Sequence, residues 1–166
     1  MEYRLEKATA NDVASVFFLI EARIRWMDTM GIEQWNTTGY LDAYPLNYYE
    51  EQQAQGNLYV LRAKNDVLAG AVVLLHHDER WKDRVEVSAF YIHNLVSDET
   101  MHGAGSILIQ EVEKMAKQCG KEYLRLDCAV DNVFLNGYYE ERGFLLAGSC
   151  TDGMYVGNRR EKQLRI

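Results

Sequence analysis

Proline is scarce in this chain: Pro45 is the one instance in 166 residues. With no low-complexity segment and no repeat beside it, the sequence offers no linker and reads as one domain, residues 1–166. Cysteine is sparse too. Cys119, Cys128 and Cys150 match no metal spacing, so no metal is expected, and an odd count argues against a disulfide framework. No apolar run approaches the roughly 18 residues of a membrane helix, and no membrane association is expected. The opening segment MEYRLEKATANDV lacks an apolar signal core, which argues against secretion and leaves a reducing cytoplasm as the expected location. Basic residues are outnumbered, 18 against 25 acidic, for a net charge of −7. That balance disfavours nucleic acid, whose binding depends on clustered Lys and Arg. It does not disfavour a small anionic ligand, because backbone amides can hold phosphate, and an acidic surface favours a cationic substrate such as an amine.

What is present describes an ordinary globular chain, 48% hydrophobic and 26% charged. MEYRLEKATA reads as a strand, and Asn11-Asp12 as a helix cap. Val13, Val16, Phe17, Ile20, Ile24 and Met27 then recur at three- and four-residue steps, predicting an amphipathic helix to about Gly31. A further helix is expected after Pro45. NLYVLR and VLAGAVVLL, joined by AKND, predict a hairpin. VEVSAFYIHNLV, Val85–Val96, predicts a strand half-buried at its start and fully buried later. Leu108, Val112, Met115 and Cys119 mark the buried stripe of another helix. YLRLDCAV is a strand, a short helix opens at Asn132, and FLLAGSCT and GMYVG…QLRI close the chain as strands. The EVEK and NRREK clusters read as solvated faces. Hairpins followed by a strand-helix-strand-helix run predict an α/β (α+β) fold whose sheet is partly antiparallel and partly parallel.

Between the buried strand and the next helix lies SDETMHGAGS. Gly103 and Gly105 permit close approach of a ligand to the main chain, and the first amides of the helix lack internal partners. This is a candidate pyrophosphate cradle, although a G-x-G signal alone is weak and a tight turn with no ligand is the plainer reading. It is neither a P-loop, lacking Gly-Lys-Ser/Thr, nor a dinucleotide fingerprint, lacking a third glycine.

YIHNLV, GAGSILIQEVEKMAKQCG, YLRLDCAVDN and YYEERGF, in this order, resemble the GNAT superfamily of acetyl-CoA-dependent N-acetyltransferases across nearly the whole chain. Most specific is Asn132 seven residues before Tyr139, with Glu-Glu-Arg-Gly-Phe behind it, similar to the family's N-x(6)-Y-E-x-x-G-F signature. GIEQW resembles a subgroup of small bacterial members. The resemblance implies a mixed, mostly antiparallel sheet flanked by helices, with splayed central parallel strands that admit acetyl-CoA as co-substrate. It implies that the backbone of Asn94, Leu95 and Val96 pairs with the pantetheine arm. The turn His102, Gly103, Ala104, Gly105 and Ser106 would hold the pyrophosphate, Asn132 would reach the cofactor, and Tyr139 would sit beside the sulfur. Trp26 and Trp35 would border the acceptor site, or serve simply as core aromatics. The sequence departs from the family at Thr100, where Arg or Gln is usual, and in a link to the glycines about two residues shorter. A missing charge-assisted contact of about 1.5–3 kcal/mol implies roughly tenfold weaker CoA binding.

Acetyl transfer to an amine makes three demands. At a reference pKa near 10.4, only about 0.04% of a lysine-type amine is neutral at pH 7, so a base is useful. The carbonyl oxygen needs a donor, which a strand amide near Leu95 could supply. The leaving thiolate needs a proton, which Tyr139 could give while its neighbour Tyr138 packs. Glu86, nine residues before Leu95 and so about 30 Å away along a strand, is too far to be the base. His93, about 7 Å from Leu95 and expected on the same sheet face, is the candidate, or else a buried histidine satisfied by a neighbour. The expected acceptor is a small-molecule or peptide amine, and a homodimer is one expectation for assembly. Two competing readings are a non-catalytic acyl-CoA-binding or sensing module and a different nucleotide in the glycine turn.

Overall fold

The structure is a computed structural model that describes residues 2–165. Met1 and Ile166, the outer ends of the expected first and last strands, lie outside the described residues. The strands are β1 Arg4–Lys7, β2 Leu58–Arg62, β3 Leu68–Leu75, β4 Ala89–Ser97, β5 Tyr123–Ala129, β6 Leu145–Asp152 and β7 Tyr155–Gln163. The helices are α1 Val13–Met30, α2 Tyr40–Ala43, α3 Leu46–Ala54, α4 Ala104–Gln118 and α5 Val133–Glu141. The strands form a seven-stranded sheet in the order β1-β2-β3-β4-β5-β7-β6, with β4 and β5 parallel and the other described pairings antiparallel. This is the mixed, mostly antiparallel α/β fold that the element order predicts.

The chain divides into two compact units, Met1–Leu74 with Asn94–Val112, and Leu75–His93 with Glu113–Ile166. In the first, β1, β2 and β3 form the antiparallel edge, and the β2–β3 turn closes through Ala63 N–H to the Val67 carbonyl at 2.8 Å. Helix α1 buries Val13, Val16, Leu19, Ile20 and Met27. Each such side chain contributes about 1.5–3 kcal/mol when fully withdrawn from water. Asp12 stands at the N-cap position of this helix, as expected, but makes no side-chain bond to it: the carboxylate accepts from the Thr9 amide at 2.7 Å, across the short 3-10 turn that precedes α1. Gly31, at φ +69°, ends the helix in the left-handed conformation that glycine tolerates.

In the second unit, β5, β7 and β6 pair successively, and α5 connects β5 to β6. Three arginines, Arg125, Arg159 and Arg160, are buried here. The NRREK segment is therefore not a solvated face. Each guanidinium can be buried because it has partners. Arg159 meets Asp83 at 2.5 Å, Arg125 meets Glu161 at 3.0 Å, and Arg160 donates to the Phe144 carbonyl and to Asn136 Oδ1, both at 3.0 Å. The ring of Trp81, fully buried, lies 4.6 Å from the Arg125 guanidinium and 5.0 Å from that of Arg159.

Two further expectations change. Val85–Ser88 precede the strand and are largely exposed, and β4 is buried from Ala89 to Ile92 but half-buried from His93 to Leu95 before Val96 is buried again, so the expected burial toward the end is interrupted. In α4 the buried positions are Ala104, Leu108, Ile109, Val112 and Ala116, whereas Cys119 is exposed. A four-residue step followed the core, and the small Ala116 was the position that the apolar stripe passed over.

Candidate functional site

The parallel pairing of β4 and β5 covers Ala89 with Tyr123, Phe90 with Leu124 and Tyr91 with Arg125. There it ends among the described residues, although β5 continues to pair with β7 from Leu126 to Ala129. Strand amides and carbonyls that leave a ladder need other partners. The parallel register thus ends at Tyr91, before the last residues of β4.

Within the first unit, Asn94 has φ +52°, in the left-handed region and in the middle of β4. Its amide is held at both ends: Nδ2 donates to Tyr40 Oη at 2.6 Å, and Tyr48 Oη donates to Oδ1 at 2.8 Å. Regular alternation of faces therefore breaks at Asn94. The expectation that His93 and Leu95 share a sheet face rested on an unbroken strand, and that support is removed. Past the strand, Asp98 Oδ1 accepts from the Thr100 amide and hydroxyl at 2.9 and 2.7 Å. Thr100 is thus turned toward its own loop. Gly103, at φ +84°, ends the turn, and nothing lies within 4 Å of where its Cβ would stand. Helix α4 begins at Ala104, so Ala104, Gly105 and Ser106 form its first turn, and the Ala104 amide donates to the Met101 carbonyl at 3.1 Å. Gly105 serves there as a residue without a side chain in a helical conformation, not as a left-handed one. Arg23 of α1 donates to the Ser97 carbonyl at 2.7 Å. Burial lowers the pKa of this guanidinium, and the nearby Glu99 and Asp98 work in the opposite direction.

Within the second unit, His93 Nε2 lies 2.8 Å from Asp78 Oδ2, with side-chain exposures of 14% and 9%. Burial raises the Asp78 pKa, but the hydrogen bonds from His93 and the Arg80 amide outweigh it and leave the carboxyl below its ordinary value. Asp78 is therefore an anion that fixes the imidazole's orientation. The neighbour that satisfies His93 is this carboxylate. Asp127, behind it in the same network, accepts from Tyr155 Oη at 2.6 Å and pairs with Arg80 at 3.3 Å.

Asn132 caps α5, as its place in the sequence predicts: Oδ1 accepts from the Leu135 amide at 2.9 Å. Asn136 then ties the helix to the strands, accepting from Asn158 Nδ2 at 2.9 Å and donating to the Ala129 carbonyl at 3.0 Å. Tyr138 stacks under the Arg142 guanidinium, 3.4 Å from the ring centre. The Tyr139 ring packs against Tyr138 and Phe144 at 5.4 and 5.7 Å, and its hydroxyl makes no hydrogen bond among the described residues. Burial pushes this phenol well above the ordinary tyrosine value, which makes it a weaker acid. Cys128 is a core residue whose thiol burial pushes up to about 11. Among the described residues no group of three His, Cys, Asp or Glu is placed to hold a metal, and no helix is long and apolar enough to cross a membrane.

Sequence reasoning did not find Asp78, Arg23, Tyr40 or Tyr48. For the tyrosines a signal existed: Tyr40, Tyr44 and Tyr48 recur every four residues. For Asp78, fifteen residues before its partner, none did.

Residues 20–144 match the model of the acetyltransferase (GNAT) family. The chain belongs to the GNAT acetyltransferase family. Membership implies acyl-CoA-dependent acetyl transfer, and hence an acyltransferase. An uncharacterized N-acetyltransferase of Bacillus subtilis, YesJ, is 24% identical over 156 residues, 90% of this chain and 85% of the relative. A GNAT-family acetyltransferase structure from Listeria monocytogenes superposes with a TM-score of 0.83 at 22% identity, covering 99% of this chain and 96% of that one. The PaiA N-acetyltransferase of Thermoplasma acidophilum, solved in complex with coenzyme A, gives 0.69 at 20% identity over 98% and 99% of the two chains. These GNAT structures share the fold of this chain.

Proposed function

We propose that this protein transfers an acetyl group from acetyl-CoA to a primary amine by direct attack in a ternary complex. The observation that carries the reading is the end of the β4–β5 ladder after Tyr91 and Arg125, which frees strand main chain for a thioester. The coenzyme A bound to the Thermoplasma relative supports the same co-substrate. Main chain at Asn94, Leu95 and Val96 receives the pantetheine arm. The turn His102–Ser106, at the N-terminal end of α4, receives the pyrophosphate. The amide nitrogen of Asn132, whose oxygen is engaged in the helix cap, reaches the arm.

His93, oriented by Asp78, takes the proton of the incoming amine. The amine nitrogen attacks the thioester carbon, and the carbonyl oxygen, now negative, accepts from a β4 amide near Leu95. The C–S bond then breaks, Tyr139 gives its proton to the CoA thiolate, and the second proton of the attacking nitrogen, shed as the amide forms, returns to the phenolate. The phenol carries its proton at neutral pH, as an ordinary tyrosine does. The acceptor class is a small-molecule or peptide amine, and three unpaired thiols fit a reducing cytoplasm.

The test is acetyl-CoA consumption and thiol release across a panel of amines, polyamines and peptides. Turnover on at least one member is expected. The acidic, tied-back turn at Asp98 and Thr100 favours one rival, a non-catalytic acyl-CoA sensor. Micromolar acetyl-CoA binding with no turnover on any acceptor would establish that rival.

A further inference from the structure

Among the described residues, the non-glycine positions with positive φ are Asn65, Asp66 and Asn94. Asn65 and Asp66 stand in the β2–β3 turn, where asparagine and aspartate tolerate such backbone. Asn94 stands inside a strand, where the conformation persists only if its surroundings over-determine it. The surroundings here are two phenols. Tyr40 Oη and Tyr48 Oη engage opposite ends of the same amide, one accepting from Nδ2 and the other donating to Oδ1. The amide therefore cannot rotate without losing both bonds.

The phenols are themselves fixed by a run of rings. Trp35 stacks on Tyr40 at 4.3 Å with planes 12° apart, Tyr40 meets Tyr44 at 4.9 Å, and Tyr44 meets Tyr48 at 4.9 Å. Tyr48 continues to Tyr49 at 5.1 Å, and Tyr49 to Phe17 of α1 at 5.9 Å. Such offset and edge contacts locate ring centres and hence hydroxyls. Because every group in the grip is neutral, it holds without an ion pair that salt could screen.

We propose that Tyr40 and Tyr48 are positioning residues for acetyl transfer. By gripping both ends of the Asn94 amide they hold the β4 main chain turned at that residue, so that the Leu95 amide is presented to the thioester oxygen. The proposal rests on the reading of β4 as the acetyl-CoA strand. It makes the α2–α3 segment part of the catalytic apparatus although neither tyrosine touches the reacting atoms.

The experiment combines Tyr40→Phe/Tyr48→Phe with Asn94→Gly and Asn94→Ala. Phenylalanine keeps the ring packing and removes only the hydroxyls. Glycine adopts positive φ without a clamp, whereas alanine resists it. The backbone resonances of Asn94 and Leu95 are read in 15N,13C-labelled protein without ligand. Acetyl-CoA affinity is read by calorimetry, and kcat on the best amine of the panel. In the double phenylalanine variant, the Asn94 and Leu95 resonances are expected to leave their wild-type positions. Its kcat should fall at least tenfold while acetyl-CoA affinity stays within threefold. Asn94→Gly should keep at least three times the kcat of Asn94→Ala, a rescue that simple loss of packing would not give. Unmoved resonances in the double variant, or an alanine variant equal to or better than glycine, overturn the proposal. If the wild-type protein acetylates no amine, the acetyl-transfer reading fails, and the resonances alone decide the clamp.

Discussion

The two units hold their candidate functional groups by different means. In the first, the groups of interest are main chain, at Asn94–Val96 and in the turn before α4; the support at Asn94 is neutral, two phenols on one amide and a run of stacked rings, while Arg23 and Asp98 tie down the start of the turn. In the second, the groups of interest are side chains, His93 and Tyr139, and the supports are largely ionic. Asp78 orients the imidazole, Arg80 bridges Asp127 and Asp152, and Arg160 fastens Asn136 at the foot of α5. Holding main chain asks for shape, which neutral contacts supply at little desolvation cost. Holding a side chain asks for a fixed orientation, which a charged partner such as Asp78 supplies to the His93 imidazole.

That contrast can be broken by substitution. The largest effect is expected at His93: His93→Gln lowers kcat/KM about a hundredfold, and Asp78→Asn, which removes only the orienting carboxylate, about tenfold. Equal kcat/KM in wild type and His93→Gln would remove the base from the scheme. Next, Tyr139→Phe lowers kcat at least tenfold and leaves acetyl-CoA affinity as it was. Unchanged turnover there rules out the phenol as donor. In the first unit the effect is on binding: Gly105→Val weakens CoA about fivefold by calorimetry, the loss of roughly 1 kcal/mol of amide contact. Undiminished affinity would make the turn merely structural.

The smallest effect sharpens the ionic side of the comparison. The hydrogen bond from Arg159 holds the Asp83 carboxyl down at about 2, against an ordinary 3.8. A carboxyl that is more acidic folded than unfolded contributes stability above the unfolded value and loses it as pH falls through the folded one. The melting temperature therefore drops between about pH 4 and pH 2, and Asp83→Asn reduces that drop by about 2 °C. An identical acid profile for the variant would show that the pair is without weight.

What could be read from the sequence divides along the same line. Apolar periodicity delivered α1, and the pairing of NLYVLR with VLAGAVVLL delivered the β2–β3 hairpin. An asparagine ahead of an apolar run delivered the α5 cap, because that bond lies within four residues. The break at Asn94 was hidden, since nothing local in YIHNLV distinguishes a left-handed asparagine from an extended one. Its cause lies 46 and 54 residues away at Tyr48 and Tyr40. Arg159 and Arg160 were misread for a related reason. Whether an arginine is solvated or buried depends on partners at Asp83 and Phe144 that no local pattern reveals.

Trp81 supplies a spectroscopic consequence. It lies in the second unit beneath two guanidinium groups, while Trp26 and Trp35 lie in the first. Replacing Trp26 and Trp35 by phenylalanine leaves an emitter that reports on the arginine-lined interior alone. Replacing Trp81 leaves a pair that reports on the tyrosine-rich side. Fluorescence melting of the two variants then follows each half of the molecule by its own light.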